Sequence, residues 1–270
     1  MPTAPSSFPV PNTVPNAWVA AAEAALDAAG AAIKPYFRAG VQADDKSDDS
    51  PVTVADRLAE TIIREHLTTA FPDYGFLGEE FPPTQEAARY VWVVDPIDGT
   101  RAFITGRPSF CTLLGLLEDG VPILGFIDQP ITGERWAGGR DMPPRFRNKL
   151  GGKIGTRAIT RLDQAELSST APEMFSGDGA ARFAKLQAQC RRTYWGGDAY
   201  AYGLLALGQV DIVAECGLKP WDWAALAPVV EAAGGVVTDW AGAKLRLGHS
   251  DGSILAAANQ TLHAAALAAL

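Results

Sequence analysis

The spacing of apolar residues changes period repeatedly along the chain, and each change marks an element. Val19, Leu26 and Ile33 recur every seven residues within an Ala-rich run, which predicts one helix reaching about Phe37, with Asn16 able to cap it. Gly30 weakens its middle. Leu58, Ile62 and Leu67 predict a second helix, opened by Thr53 with Asp56 three residues on, close to a capping box. Tyr74-Gly75-Phe76-Leu77 predicts a short strand that gives out at Gly78-Glu79-Glu80. Val91-Trp92-Val93-Val94 predicts a buried strand ending at Asp95-Pro96, because proline cannot donate to a ladder, and Gly99-Thr100 then opens a helix. Residues 110–117, 121–127 and 134–137 predict three strands of an antiparallel meander with short turns such as Glu118-Asp119-Gly120.

The second half alternates differently. Residues 143–156 carry Arg145, Arg147, Lys149 and Lys153 among Pro and Gly and predict a solvated connection between lobes. Beyond it come a strand at 167–170, helices at 180–191 and about 198–207, and a strand at 210–214. Asp222 then opens a helix over 224–233, closed by Gly234-Gly235 and followed by strands at 236–238 and 254–257 and an Ala-rich last helix. Such alternation favours an α/β arrangement. The expected organisation is a Pro-rich flexible leader over 1–15, an N-terminal α+β lobe over 16–150 and a C-terminal α/β lobe over 151–270.

Composition narrows the partners. A chain of 270 residues can bury a sizeable core, and its net charge of −8, from 31 acidic against 23 basic residues with no basic cluster, argues against a nucleic-acid partner. The leader shows no basic region followed by a continuous apolar one, and the Ala-rich run at 17–33 contains Glu23 and Asp27, so neither a secretory signal nor a membrane partner is expected. Cys111, Cys190 and Cys216 are scattered without a CxxC spacing, which fits reduced core thiols in a cytoplasmic protein.

The candidate chemistry lies in acids at element ends: Asp56, Glu79, Asp95, Asp98 and Asp222. Asp95 and Asp98 are three apart with Pro96 between them, so both can turn toward one point, and a helix opening at Gly99-Thr100 suits a phosphate. Singly, each acid also reads as a turn or capping residue. Brought together, the five would repel strongly unless cations sat between them, and Mg²⁺, which takes oxygen ligands and keeps waters, is the natural choice, as two or three ions. Zinc is poorly supported, because His66, His249 and His263 have no paired spacing. Gly248-His249-Ser250-Asp251-Gly252 matches GxSxG with His263 downstream, but a strand rather than a helix follows, so the motif reads as a turn.

Gly78-Glu79-Glu80, the run Asp95-Pro96-Ile97-Asp98-Gly99-Thr100, and Trp221-Asp222 followed by Ala224-Ala225 and Gly234-Gly235 resemble, in this order and spacing, the inositol monophosphatase family of Mg²⁺-dependent, lithium-sensitive phosphatases, from about Trp18 to the end. The resemblance implies an α/β fold built as a five-layered α/β/α/β/α sandwich of the inositol monophosphatase/fructose-bisphosphatase type, usually a homodimer. It also implies that Glu79, Asp95, the carbonyl of Ile97, Asp98 and Asp222 are metal ligands and that Gly99 and Thr100 hold phosphate. Asp56 would pair with Thr100 and, with Glu79, orient the attacking water, and Lys46 would sit near a third metal. Either Glu79 or the Thr100 and Asp56 pair would take the proton.

Within the family, Arg101-Ala102-Phe103, the stretch from Ser169 to Phe175, the stretch from Trp195 to Tyr202, and Trp221-Asp222 with Ala225-Leu226 and Pro228 resemble the histidinol-phosphate phosphatase branch. That substrate, a small-molecule phosphate monoester, carries an ammonium and an imidazole, so acids should recognise it. Asp198 and Glu215 are the candidates, although Glu215 also resembles the sugar-contacting Glu of inositol phosphatases. Arg101 either contacts phosphate or pairs with a nearby acid. The alternatives are an inositol or broad sugar monophosphatase and, in another class, a non-catalytic phosphate-binding member. The latter would need a lost ligand, whereas every signature acid is present.

Overall fold

The computed structural model describes residues 13–40, 44–45 and 51–270, with the backbone alone at 44, 45, 51 and 52. Helix α1 (Asn16–Ile33) buries Val19, Leu26 and Ile33 with Trp18, Ala22, Ala25 and Ala29. Asn16 is its first helical residue rather than its cap, which is extended Pro15, and no side chain caps it. The α-helix stops at Ile33, earlier than Phe37, because Pro35 cannot supply the next N–H, and a 3₁₀ turn, Lys34–Tyr36, follows. Strands β1 (Asp44–Asp45) and β2 (Pro51–Val52) pair antiparallel. Helix α2 (Val54–Ala70) opens on the full Thr53/Asp56 capping box. Its buried face is Ala55, Asp56, Ala59, Glu60, Ile63 and Leu67, while Leu58 is exposed, so the helix is rotated from the Leu58, Ile62, Leu67 stripe.

A six-stranded sheet is formed by β3 (Gly75–Gly78), β4 (Tyr90–Asp98), β5 (Cys111–Glu118), β6 (Val121–Gln129), β7 (Glu134–Gly139) and β8 (Met142–Arg147), in chain order. Only β3 and β4 are parallel. β4 does not end at Asp95-Pro96. It runs on to Asp98, with its register to β5 shifting between Asp95 and Asp98, so Pro96 and Ile97 are accommodated in an irregularity of the ladder. Helix α3 (Thr100–Ile104) follows at once. β8 takes the first part of what the sequence suggested was a connection. It is an edge strand, where Pro143 and Pro144 and outward Arg145 and Arg147 are tolerated.

The second sheet has the order β10-β9-β11-β13-β12, built from β9 (Glu166–Ser169), β10 (Arg192–Trp195), β11 (Ile212–Glu215), β12 (Val236–Thr238) and β13 (Ile254–Ala257). β10, absent from the sequence reading, is a short edge strand with most of its residues exposed and hence no alternation to detect. The helices of this half are α4 (Gly177–Gln189), α5 (Tyr200–Ala206), α6 (Pro220–Trp223), α7 (Leu226–Ala232) and α8 (Gln260–Ala269). The helix expected at 224–233 is α7, which starts only at Leu226, and Asp222 lies instead in the separate short α6 before it; Pro228 leaves the Ala224 carbonyl without a helical partner, which keeps the two apart.

Five layers result. Helices α1 and α2 cover one face of the first sheet, and α5, α6 and α7 fill the space between its other face and the second sheet, whose far side carries α4 and α8. The middle layer approaches very closely. Gly115, Gly125 and Gly138 are direct cross-strand neighbours on β5, β6 and β7. A Cβ would lie 2.9 Å from the Ala224 carbonyl carbon at Gly115, 2.0 Å from the Ala225 oxygen at Gly125 and 2.4 Å from the Pro228 oxygen at Gly138. Three bare positions thus let the backbone after Asp222 rest on the sheet. Gly125→Ala is expected to cost about 2 kcal/mol of overpacking and to lower Tm by roughly 4–8 °C in a thermal melt. Gly179→Ala, on α4 with open space at the Cβ, is expected to leave Tm unchanged or raised.

Candidate active site

The ladder irregularity of β4 turns two carboxylates toward the start of the middle layer. Asp95 Oδ1 accepts from the Ile97 amide at 3.0 Å, and Asp98 Oδ2 accepts from the Ala199 amide at 2.7 Å, joining the first sheet to the segment entering α5. Asp222, in the first turn of α6, accepts from the Lys219 amide at 2.6 Å. One oxygen from each of Asp95, Asp98 and Asp222 lies within 4.8 Å of the other two. Among the described residues no other group of His, Cys, Asp or Glu converges in this way. Glu79, just past β3, shares a side-chain hydrogen bond with Asp95.

Asp56 is buried at the start of α2, and its Oδ2 accepts from both the amide (2.8 Å) and the hydroxyl (2.5 Å) of Thr53. Its other oxygen faces the Thr100 hydroxyl at 3.5 Å, while that hydroxyl also donates to the Ile97 carbonyl at 3.1 Å. Gly99 precedes α3 in the left-handed region, at φ 79°, and a Cβ there would lie 2.9 Å from Asp198 Cγ. A cavity of about 180 Å³ is lined by Glu79, Asp95, Ile97, Asp98, Gly99, Thr100, Asp198, Glu215 and Asp222 together with Thr170, Tyr202 and apolar neighbours.

The electrostatics are those of too many acids. Burial, then the charges of Glu79, Asp98 and Asp222, push Asp95 well above the usual carboxylate range. Burial and the charges of Asp198 and Asp222 do the same to Asp98. Asp222 rises to about 7, again chiefly by burial, with Glu79 and Glu215 adding to it. Burial also raises Asp56 against the opposing Thr53 hydrogen bonds. A close, oxygen-only donor set that would rather be neutral fits a hard divalent cation, whose charge removes the repulsion.

The remaining candidates lie as follows. Glu215 is buried with both oxygens engaged, one by the Thr170 amide (2.9 Å) and hydroxyl (2.6 Å), the other by the Tyr202 hydroxyl (2.9 Å). Asp198 is raised to about 6 by burial, with the charges of Arg107 and Arg101 pulling against it. Arg101 itself is exposed on α3 and does not line the cavity. Lys46 lies outside the described residues. The GxSxG segment carries no triad, because Ser250 bonds the backbone of Arg246 while His263 is buried against Thr238. Cys111 is fully buried with its thiol pushed far up, which makes it a poor nucleophile. Sequence reasoning passed over Tyr202 and Thr170 as partners of Glu215. It also passed over Glu60, a buried acid whose signal was available, since it follows Asp56 by four residues and shares its helix face.

The family model described as the inositol monophosphatase family matches residues 15–270. The chain belongs to the inositol monophosphatase family. Over 262 residues it is 44% identical to the chloroplastic bifunctional phosphatase IMPL2 of Arabidopsis thaliana, covering 94% of this chain and 75% of that protein. It is 34% identical over 237 residues to a histidinol-phosphatase of Chlorobaculum parvum, with 87% and 89% covered. The solved structure of an inositol monophosphatase from Zymomonas mobilis superposes with a TM-score of 0.84 at 46% identity, over 94% of this chain and 97% of that one. The chain is therefore a metal-dependent phosphomonoester hydrolase of a family that acts on small phosphate monoesters, generally with Mg²⁺. No helix among the described residues is long and apolar enough to cross a membrane.

A pH dependence follows. The folded chain holds the Asp222 proton more tightly than the unfolded chain, so its contribution to stability is complete below the ordinary value of 3.8 and is lost as pH rises through about 7. Asp95 and Asp98 shift in the same direction. Without divalent metal, Tm is expected to fall between pH 5 and pH 8, and millimolar Mg²⁺ is expected to recover most of the loss at pH 8. Scanning calorimetry at the two pH values, with EDTA or with Mg²⁺, checks both.

Proposed function

We propose that the protein hydrolyses histidinol phosphate to histidinol and phosphate. The observation that carries this reading is the position of Asp198 on the cavity wall. It is held at φ 44° against Gly99, and no hydrogen bond reaches its carboxylate from the described residues. An acid so placed beside the phosphate loop suits a substrate with an ammonium a few atoms from its ester. Glu215 adds a second negative charge to the same wall. The likeness to a bifunctional phosphatase and a histidinol-phosphatase supports the reading.

In this reading Glu79, Asp95, the Ile97 carbonyl, Asp98 and Asp222 hold two or three Mg²⁺ ions. The cation supplies positive charge for the phosphoryl oxygens and leaving alkoxide and acidifies water. Gly99 and Thr100 orient the phosphate at the start of α3. The proton of the attacking water goes to Glu79 or, by way of the Thr100 hydroxyl, to Asp56. The second route requires that hydroxyl to leave the Ile97 carbonyl, which it now approaches more closely than Asp56. Asp198 binds the substrate's cationic end. Arg101 tunes Asp198 through its charge. The working unit is a homodimer in the cytoplasm.

A second reading, an inositol or sugar monophosphatase, is favoured by the 46% identity to the Zymomonas mobilis inositol monophosphatase. Phosphate release with Mg²⁺ from histidinol phosphate and from inositol 1-phosphate decides between them. At least a tenfold advantage in kcat/KM for histidinol phosphate is expected, worth ~1.4 kcal/mol of transition-state discrimination, and Asp198→Asn should reduce that advantage. Equal or reversed values would move the assignment to the second reading. Asp95→Asn should lose at least about a hundredfold on either ester.

A further inference from the structure

Glu60 is wholly buried on α2, one turn beyond Asp56, and it touches neither the cavity nor any of the converging acid oxygens. A carboxylate in that position needs several partners to be tolerated, and its backbone partners all lie in one turn of chain. Oε2 accepts from the Glu80 amide at 2.7 Å, and the Phe81 backbone donates as well. Oε1 accepts from the Arg64 guanidinium at 2.8 Å. Arg64 is itself seated over the Phe76 ring, 4.3 Å from its centroid, in the strand that leads into the turn. On the near side the carboxylate presses against Gly78. A Cβ there would lie 2.1 Å from Oε1 and 2.3 Å from Cδ, so only glycine permits the contact.

The residues gripped are Gly78, Glu80 and Phe81, and the one between them that is directed elsewhere is Glu79, whose side chain bonds Asp95. We propose that Glu60 is a positioning residue, whose carboxylate, braced by Arg64, fixes the turn that aims Glu79 into the acid cluster and so sets the cluster's affinity for Mg²⁺. This rests on the metal-site part of the proposed function and not on the identity of the ester. The physical reason is preorganisation. A turn held by two amide hydrogen bonds from one side leaves Glu79 little freedom to lose when a cation binds. It also explains a charged group where an apolar one would pack at lower cost, since two backbone donors and a guanidinium need an anionic acceptor. One face of α2 thus carries two buried acids with separate tasks, Asp56 toward Thr100 and Glu60 toward the turn.

The test is Mg²⁺ binding by titration calorimetry to the full-length wild type, Glu60→Gln and Arg64→Met, with Tm measured on each. Glutamine keeps the size of Glu60 but offers an NH₂ where Arg64 or the Glu80 amide needs an acceptor. Glu60→Gln is expected to weaken Mg²⁺ binding at least tenfold, and to raise the Mg²⁺ concentration for half-maximal phosphate release in parallel, while kcat at saturating Mg²⁺ falls less. Arg64→Met, on the more exposed side of the pair, keeps the carboxylate and is expected to shift binding in the same direction by two- to threefold, and it decides the matter if Glu60→Gln does not fold. A merely structural Glu60 would lower Tm and leave Mg²⁺ affinity unchanged in the folded protein, and that result in both folded variants, or in Arg64→Met alone if Glu60→Gln does not fold, would overturn the proposal. No Mg²⁺ binding by the wild type would remove the metal-site reading and this proposal with it. Mg²⁺ binding without turnover of either ester would remove only the substrate assignment.

Discussion

Several carboxylates held within a few ångströms of one another, out of bulk water, cannot all be charged at once without a counter-ion. Most of what surrounds the end of β4 can be understood from that constraint. Asp95, Asp98 and Asp222 arrive from two distant parts of the chain, and backbone amides of Ile97, Ala199 and Lys219 give each of them one fixed hydrogen bond. Those bonds orient the oxygens but do not neutralise them, which is why all three groups hold protons well above the usual carboxylate range. A divalent cation removes the conflict and is at the same time what a phosphate ester needs in order to approach so acidic a wall.

The layered fold supplies the precision. Asp222 reaches the cluster because the segment after it lies almost on the sheet backbone, over the bare row Gly115, Gly125 and Gly138. Asp98 in turn binds the amide that leads into α5, so the first sheet and the middle layer are fastened to each other at the site itself. On the opposite face α2 supports the cluster from behind, through the Thr53 and Asp56 capping box and the Glu60 grip on the turn after β3. The site thus lies where three layers meet. Glu79, Asp98 and Asp222 sit at element ends, where those layers converge, and Asp95 sits inside β4 at the irregularity of its ladder.

Much of this was legible in the sequence, for identifiable reasons. The seven-residue recurrence on the one buried face of α1 could be read directly, and so could β5 and β6, whose apolar runs are buried on both faces and parted by the turn Glu118-Asp119-Gly120. The acids stood beside Gly, Pro or a helix start, which marked them before any contact was known. What could not be read depended on distance in the chain. The irregularity that carries β4 past Pro96 exists because β5 continues to pair beyond it. β10 is short and exposed on the edge of its sheet and has no periodicity to show. The rotation of α2 that buries Glu60 and exposes Leu58 goes with its packing on α1, β4 and β3 and overrides the local apolar stripe. The partners of Glu215 come from residues 13 and 45 positions away, beyond the reach of local pattern.

A divalent cation, not a proton, is the proper partner of these acids, and the number of protons released when Mg²⁺ binds tests this. Titrating Mg²⁺ into the protein at pH 6.5 in buffers of different ionisation enthalpy gives that number from the slope of observed heat against buffer enthalpy. Because Asp222 holds its proton up to about 7 and Asp95 and Asp98 shift the same way, net proton release is expected, and Asp222→Asn should diminish it. Mg²⁺ binding with no proton release would contradict the claim, since the ion would then be bound by groups already ionised and the raised acids would be no part of its site.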